Sequence, residues 1–186
     1  MSHAVSIEFA ETQIDLEQII HLQKVNHVSQ LTSLEKNSNG FVTVLHTIAL
    51  LIQMNEAAPQ IITKYNGAVV AYALVMLKEF SALIPTLVPM FDLFEQLNYL
   101  GKSLTTYNYY VMGQICIDEK YRGQGLFEKL YAKHKETHSN KFDLCLTEVS
   151  TSNQRSMKAH ERVGFKILHT FKDETDEWNI LVWDWR

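Results

Sequence analysis

Arg122-Gly123-Gln124-Gly125-Leu126-Phe127 is the stretch whose residue types most plainly suit a chemical task. It joins a strand-like run to an amphipathic one. Glycines let a backbone turn sharply and approach a ligand closely. The unpaired N–H groups that open the following helix point outward with the positive end of its dipole, which suits a phosphate or pyrophosphate. Arg122 adds a charge and a forked donor. Two common phosphate motifs do not fit. A Walker loop needs Gly-Lys-Ser/Thr, and a Rossmann fingerprint needs a glycine where Glu128 stands.

A second candidate segment is Glu148-Val149-Ser150-Thr151-Ser152-Asn153, followed by Ser156, His160 and Val163-Gly164-Phe165. Metal and redox chemistry find no support. The two cysteines, Cys116 and Cys145, sit inside the apolar runs 115–117 and 144–146, where a thiol behaves as a small hydrophobe. There is no CxxC, no HExxH and no ligand-like pairing of His with Cys, so no metal is expected.

The elements that would position these residues follow from periodicity. Residues 5–9 alternate as a half-buried strand. Thr12 caps a helix with Asp15 in its first turn and an apolar stripe of Leu16, Ile19 and Ile20. Residues 37–40 read as a loop, and 46–56 as a helix stopped before Pro59. Residues 60–65 and 68–77 flank Asn66-Gly67, the pair that tolerates positive φ at both centres of a type I′ turn, and so predict a hairpin. Residues 109–117 are a strand, 126 onward a helix, 142–149 a strand and 151–162 a helix ended by Gly164. Residues 165–171 and 178–185 close as a hairpin around an acidic turn. Strand, helix, strand, helix over 109–163 argues for a βαβ unit with parallel strands. The fold class is therefore α/β: a single domain over residues 1–186, with a mixed twisted sheet whose central parallel pair is flanked by helices.

Between the hairpin and that unit lies an aromatic-rich insertion at about residues 81–108, with Pro85, Pro89, Phe91, Phe94, Tyr99 and Tyr107. Its rings are either ordinary core or an apolar flap over a substrate cavity. The chain has 186 residues, 46% of them apolar and 20% charged, ordinary for a globular domain. Net charge is −4 and no basic stripe occurs, which argues against nucleic acid. No signal peptide and no run of about 18 apolar residues is present, so a cytoplasmic protein without a membrane partner is expected.

The two candidate segments together resemble the GCN5-related N-acetyltransferases (GNAT). That family carries Gln/Arg-x-x-Gly-x-Gly/Ala between a central strand and the next helix, matched here at Arg122 and Gly125, with Phe127 where the family has Gly or Ala. It also carries Glu-Val-x-x-Ser-Asn ending in Tyr-x-x-x-Gly-Phe, matched from Glu148 to Phe165 with His160 in place of Tyr.

The resemblance implies a GNAT-like fold and acetyl-CoA as the acetyl donor. The backbone of Ile115, Cys116 and Ile117, on a bulged and splayed strand, would pair with the pantetheine arm. The amides of Gly123, Gln124, Gly125, Leu126 and Phe127 would hold the pyrophosphate beside Arg122. Asn153 would bond the arm, or serve as a helix cap. Glu148 would take the proton of an attacking amine, or stand as a rim carboxylate. His160 would protonate the leaving thiolate, or pack without chemistry. Phe127 either crowds the pyrophosphate or turns into the core. The implied activity is N-acetylation of a primary amine, with a small molecule placed ahead of a peptide as acceptor. The alternative is a non-catalytic acyl-CoA-binding module on the same fold. A homodimer would form through the aromatic segment or the closing hairpin.

Overall fold

The computed structural model describes residues 5–32 and 41–186. The loop expected at 37–40 lies outside the described residues. The mixed sheet is present, with seven strands in the order β1-β2-β3-β6-β7-β9-β8.

β1 (Ser6–Phe9) leads to α1 (Gln13–Asn26), where Thr12 and Asp15 form a reciprocal capping box. The next helix, α2, is Ile48–Ala57 rather than 46–56. Thr47 caps it, and the His46 N–H is already taken by Gln23 Oε1 at 3.0 Å, so the chain at 46 is held outside the helix. β2 (Ile61–Tyr65) and β3 (Ala68–Met76) form the expected hairpin, with Asn66 at φ 52° and Gly67 at φ 80°.

The segment after β3 begins with 3₁₀ turns over Lys78–Leu83 and Pro85–Leu87. It continues through α3 (Val88–Phe94) and a small hairpin, β4 (Asn98–Tyr99) with β5 (Lys102–Ser103). Its rings are mainly core. Phe80, Phe91, Phe94 and Tyr107 are buried, and Phe94 meets Tyr109 edge-on at 5.6 Å.

β6 (Tyr109–Ile117), α4 (Leu126–His138), β7 (Leu144–Ser150) and α5 (Gln154–Val163) follow, then β8 (Lys166–Lys172) and β9 (Glu177–Asp184). β6 and β7 are the parallel pair, but their pairing is short: Tyr109 with Leu144, Tyr110 with Cys145 and Val111 with Leu146. The last link is Thr147 Oγ1 donating to the Met112 carbonyl at 3.0 Å. Beyond it the strands part, and the β7-facing edge of Ile115, Cys116 and Ile117 lies open while the other edge pairs with β3.

A bulge starts the divergence. Leu74 pairs with Gln114 and Val75 with Met112, which leaves Gly113 as the extra residue. A Cβ at Gly113 would lie 3.1 Å from Met76 Cβ, a tight contact that favours glycine at this close approach of the two strands.

The sheet buries both faces. α4 and α5 cover one, through Leu126, Leu130 and Tyr131 of α4 and Met157 and Val163 of α5. α1, α2 and the 78–108 segment cover the other. Between α1 and α2, residues 41–46 run as an extended strap across the mouth of the gap. Gln114 Nε2 donates to the Val44 carbonyl at 2.9 Å, from the β6 side. Asn153 Nδ2 donates to the Phe41 carbonyl at 3.4 Å, from the β7 side.

Candidate functional site

The gap between β6 and β7 brings the two candidate segments together. On the α4 side it opens into a groove of about 650 Å³, within the range of small-ligand sites. Ile115, Cys116, Ile117, Arg122, Gly123, Gly125, Leu126, Phe127 and Asn153 all line it. Gln124, the remaining residue of the loop, is exposed.

Gly125 is the N-cap of α4 at φ 72° and makes no side-chain cap, so the amides of the first turn keep their hydrogen-bonding capacity. Gly123 is also left-handed, at φ 75°, and a Cβ on either would meet nothing within 4 Å. The loop therefore presents bare backbone to the groove. Arg122 fixes the loop in place. Its Nε donates to the Ile117 carbonyl at 3.0 Å and its Nη2 to Asn26 Oδ1 at 2.7 Å. Nη1 is buried without a partner among the described residues, on the wall of the groove. An orphaned guanidinium N–H beside free helix amides fits an anionic group.

Phe127 does not project across the loop. Its ring packs 5.0 Å from both Tyr131 and His160, against the core. Asn153 Oδ1 caps α5 by accepting from Ser156 N at 3.2 Å. The side chain thus carries the cap expected of it and also reaches the strap. Cys116 has its thiol pKa pushed up to about 12 by burial, with a smaller opposing pull from Arg122, so it is not a nucleophile near neutrality.

Arg155, Lys158 and Arg162 of α5 also line the groove. Sequence reasoning passed over them, although their spacing places them on one face of a helix. Asn26 was missed as well. Nothing local marks it, since its partner Arg122 is far away in the chain.

On the other side of the gap lies a smaller cavity of about 80 Å³, reached by Glu148 and His160. Glu148 is half-buried on β7, on the same face as Leu144 and Leu146. It forms no hydrogen bond or ion pair among the described residues. Burial, and then the negative charge of Asp173, push its pKa up to about 8. Asp173 itself stays ionised. Burial works against that, but hydrogen bonds from Thr175 and Asp176 hold its pKa at about 2.

His160 is buried and both ring nitrogens are engaged. Nδ1 lies 2.8 Å from the Ser156 carbonyl, which only accepts, so Nδ1 carries the proton. Nε2 then accepts from the Tyr131 hydroxyl at 2.6 Å. Burial lowers the His160 pKa to about 4, against a smaller opposing effect of the Ser156 carbonyl. As arranged, the imidazole has no free N–H to give.

Residues 28–165 match the acetyltransferase (GNAT) family. Together with the open strand pair and the glycine loop at its end, this establishes that the chain belongs to that family. Solved structures share the fold at low sequence identity. One is the ribosomal-protein-S18-alanine N-acetyltransferase of Escherichia coli, with a TM-score of 0.65, 15% identity, and coverage of 97% of this chain and 94% of that one. Ard1 from Thermoplasma volcanium gives a TM-score of 0.65 at 13% identity, covering 97% of each chain. The yncA protein of Salmonella typhimurium, in a structure with its cofactor acetyl-CoA, gives 0.63 at 16% identity, covering 98% of this chain and 95% of that one. No curated protein matches the chain by sequence. Among the described residues no group of His, Cys, Asp and Glu could hold a metal ion, and no helix is long and apolar enough to cross a membrane.

Proposed function

We propose that the protein transfers the acetyl group of acetyl-CoA to a primary amine by direct attack. The observation that carries this reading is the position of Glu148. A carboxylate with a pKa of about 8, unpartnered among the described residues, faces the gap between β6 and β7, across from a groove suited to an anionic cosubstrate.

In this reading the open backbone edge of Ile115, Cys116 and Ile117 pairs with the pantetheine arm, aided by Asn153. The amides of Gly123, Gln124, Gly125, Leu126 and Phe127 hold the pyrophosphate, with Arg122 Nη1 as a charged donor. Lys158 on the rim favours the remaining phosphate. Glu148 takes a proton from the incoming ammonium group, directly or through a water. A base whose pKa is raised to about 8 does this better than an ordinary carboxylate. The nitrogen then forms its bond to the acetyl carbon while the carbon–sulfur bond breaks. Much of the acceleration comes from holding the two reactants together.

The leaving thiolate belongs to a thiol of pKa about 8.5, so its departure at neutral pH demands little acid assistance. His160 serves as acid only after releasing Ser156 or Tyr131. In the arrangement described it supports the floor of the site. A small-molecule amine is placed ahead of a peptide as acceptor, because the space beside Glu148 is small.

Calorimetric titration with acetyl-CoA, with CoA and ATP as comparators, tests the cosubstrate. Saturable binding by acetyl-CoA, abolished in Gly125→Glu, is expected. That variant puts a negative side chain on the anion site and a non-glycine residue at φ 72°. Absence of binding in the wild type overturns the reading.

A further inference from the structure

Resting on the acetyltransferase reading, we infer that the acceptor is a primary amine on a short aliphatic chain, seated in a pocket that the 78–108 segment completes. The cavity beside Glu148 is walled by Val44 of the strap, by Leu87 and Met90 of that segment, and by Val111 of β6, with Trp178 of β9 on the far side.

Leu87, Met90, Val44 and Val111 belong to one continuous buried cluster, so these walls are core-like rather than loose. Glu148 is the acidic residue on that wall, and its carboxylate lacks a partner among the described residues. An acceptor placing its nitrogen at this carboxylate therefore directs its carbon skeleton at Leu87 and Met90. The segment that supplies these two side chains is held firmly. Phe94 is fully buried, and Tyr99 donates its hydroxyl to Asp184 Oδ2 at 3.1 Å.

Size sets the chain length. The cavity measures about 80 Å³. An apolar cavity of roughly 150 Å³ takes a benzene ring. The space beside Glu148 is about half of that, so it suits a chain of a few carbons and turns away a ring. Charge agrees. The walls named above bring no cation to the cavity, and the ionised Asp173 near Glu148 adds attraction for an ammonium group.

The test is a thiol-release assay at saturating acetyl-CoA, with butylamine and benzylamine as acceptors. Wild type is expected to show kcat/KM for butylamine about tenfold or more above benzylamine, the scale of a pocket that discriminates by size. Met90→Ala enlarges the pocket and is expected to close that gap while leaving the affinity for acetyl-CoA unchanged. Equal or better use of benzylamine by wild type, or a folded Met90→Ala with an unaltered ratio, overturns the inference.

A second readout works on the wild type without turnover. In methyl-¹³C-methionine NMR, with the Met90 signal assigned through Met90→Leu, butylamine shifts that signal saturably and benzylamine does not. The reverse pattern, or no shift with either, overturns the pocket. A shift at Met90 with no acetylated product counts against the transferase reading and leaves the pocket standing. Acetylation that favours benzylamine does the opposite.

Discussion

At the scale of single residues, the site contrasts two titratable groups that burial has pushed in opposite directions. Glu148 has no partner among the described residues and is raised to about 8, so it is a better base than a solvated carboxylate. His160 is lowered to about 4 and tied at both nitrogens, so it is neutral near pH 7. The Tyr131–His160 bond is consequently a stability feature. Removing the hydroxyl in Tyr131→Phe leaves the buried Nε2 lone pair unsatisfied. A loss of about 1–3 kcal/mol in urea unfolding is expected, with acetyl-CoA affinity retained. An unchanged midpoint would mean that the ring finds another donor.

Elements decide how these residues meet, and here the sequence is unevenly readable. The β2–β3 hairpin, β6, the glycine loop and the α5 cap announce themselves: Asn66-Gly67, Gly125 and Asn153 act through local backbone geometry, and β6 is a mostly apolar run. The family signatures likewise point to Arg122 and Glu148. The strap over residues 41–46 gives no such signal. Its path is set by distant side chains, Gln114 on Val44 and Gln23 on His46. That long-range hold is also why α2 begins at Ile48. The small β4–β5 hairpin turns on Leu100 at φ 48°, a residue type that does not advertise a turn. The bulge was expected from the family around residues 115–117. It falls at Gly113, where a Cβ would sit tightly against Met76 at 3.1 Å.

Taken whole, the molecule stores neutral histidines in its core. His46, His134 and His160 are buried, and burial lowers them to about 4, 3 and 4, with the neighbouring His138 adding to the shift at His134. In the unfolded chain each has a pKa of about 6.5. Below that value the unfolded chain binds more protons, so stability rises with pH. The contribution is complete above about pH 6.5 and is lost as pH falls toward 4. At pH 5 the loss is about 2 kcal/mol for each imidazole lowered to about 4. Glu148 works the other way, because its raised pKa costs stability at pH 7 and much less at pH 5, and this offsets about one of the three histidines. Urea unfolding at pH 7 and pH 5 should therefore give a lower midpoint at the acid value. A flat profile would mean that these histidines protonate without cost.

The central claim is that Glu148 deprotonates an amine poised against acetyl-CoA. It is tested most directly by the pH dependence of acetyl transfer in wild type and Glu148→Gln. A base must be ionised to act, so wild-type kcat/KM rises with pH through about 8. Glu148→Gln is expected to keep its affinity for acetyl-CoA, to lose about 10²–10⁴-fold in rate, and to lose the inflection near 8. Equal rates and superimposable profiles in the two proteins would contradict the account.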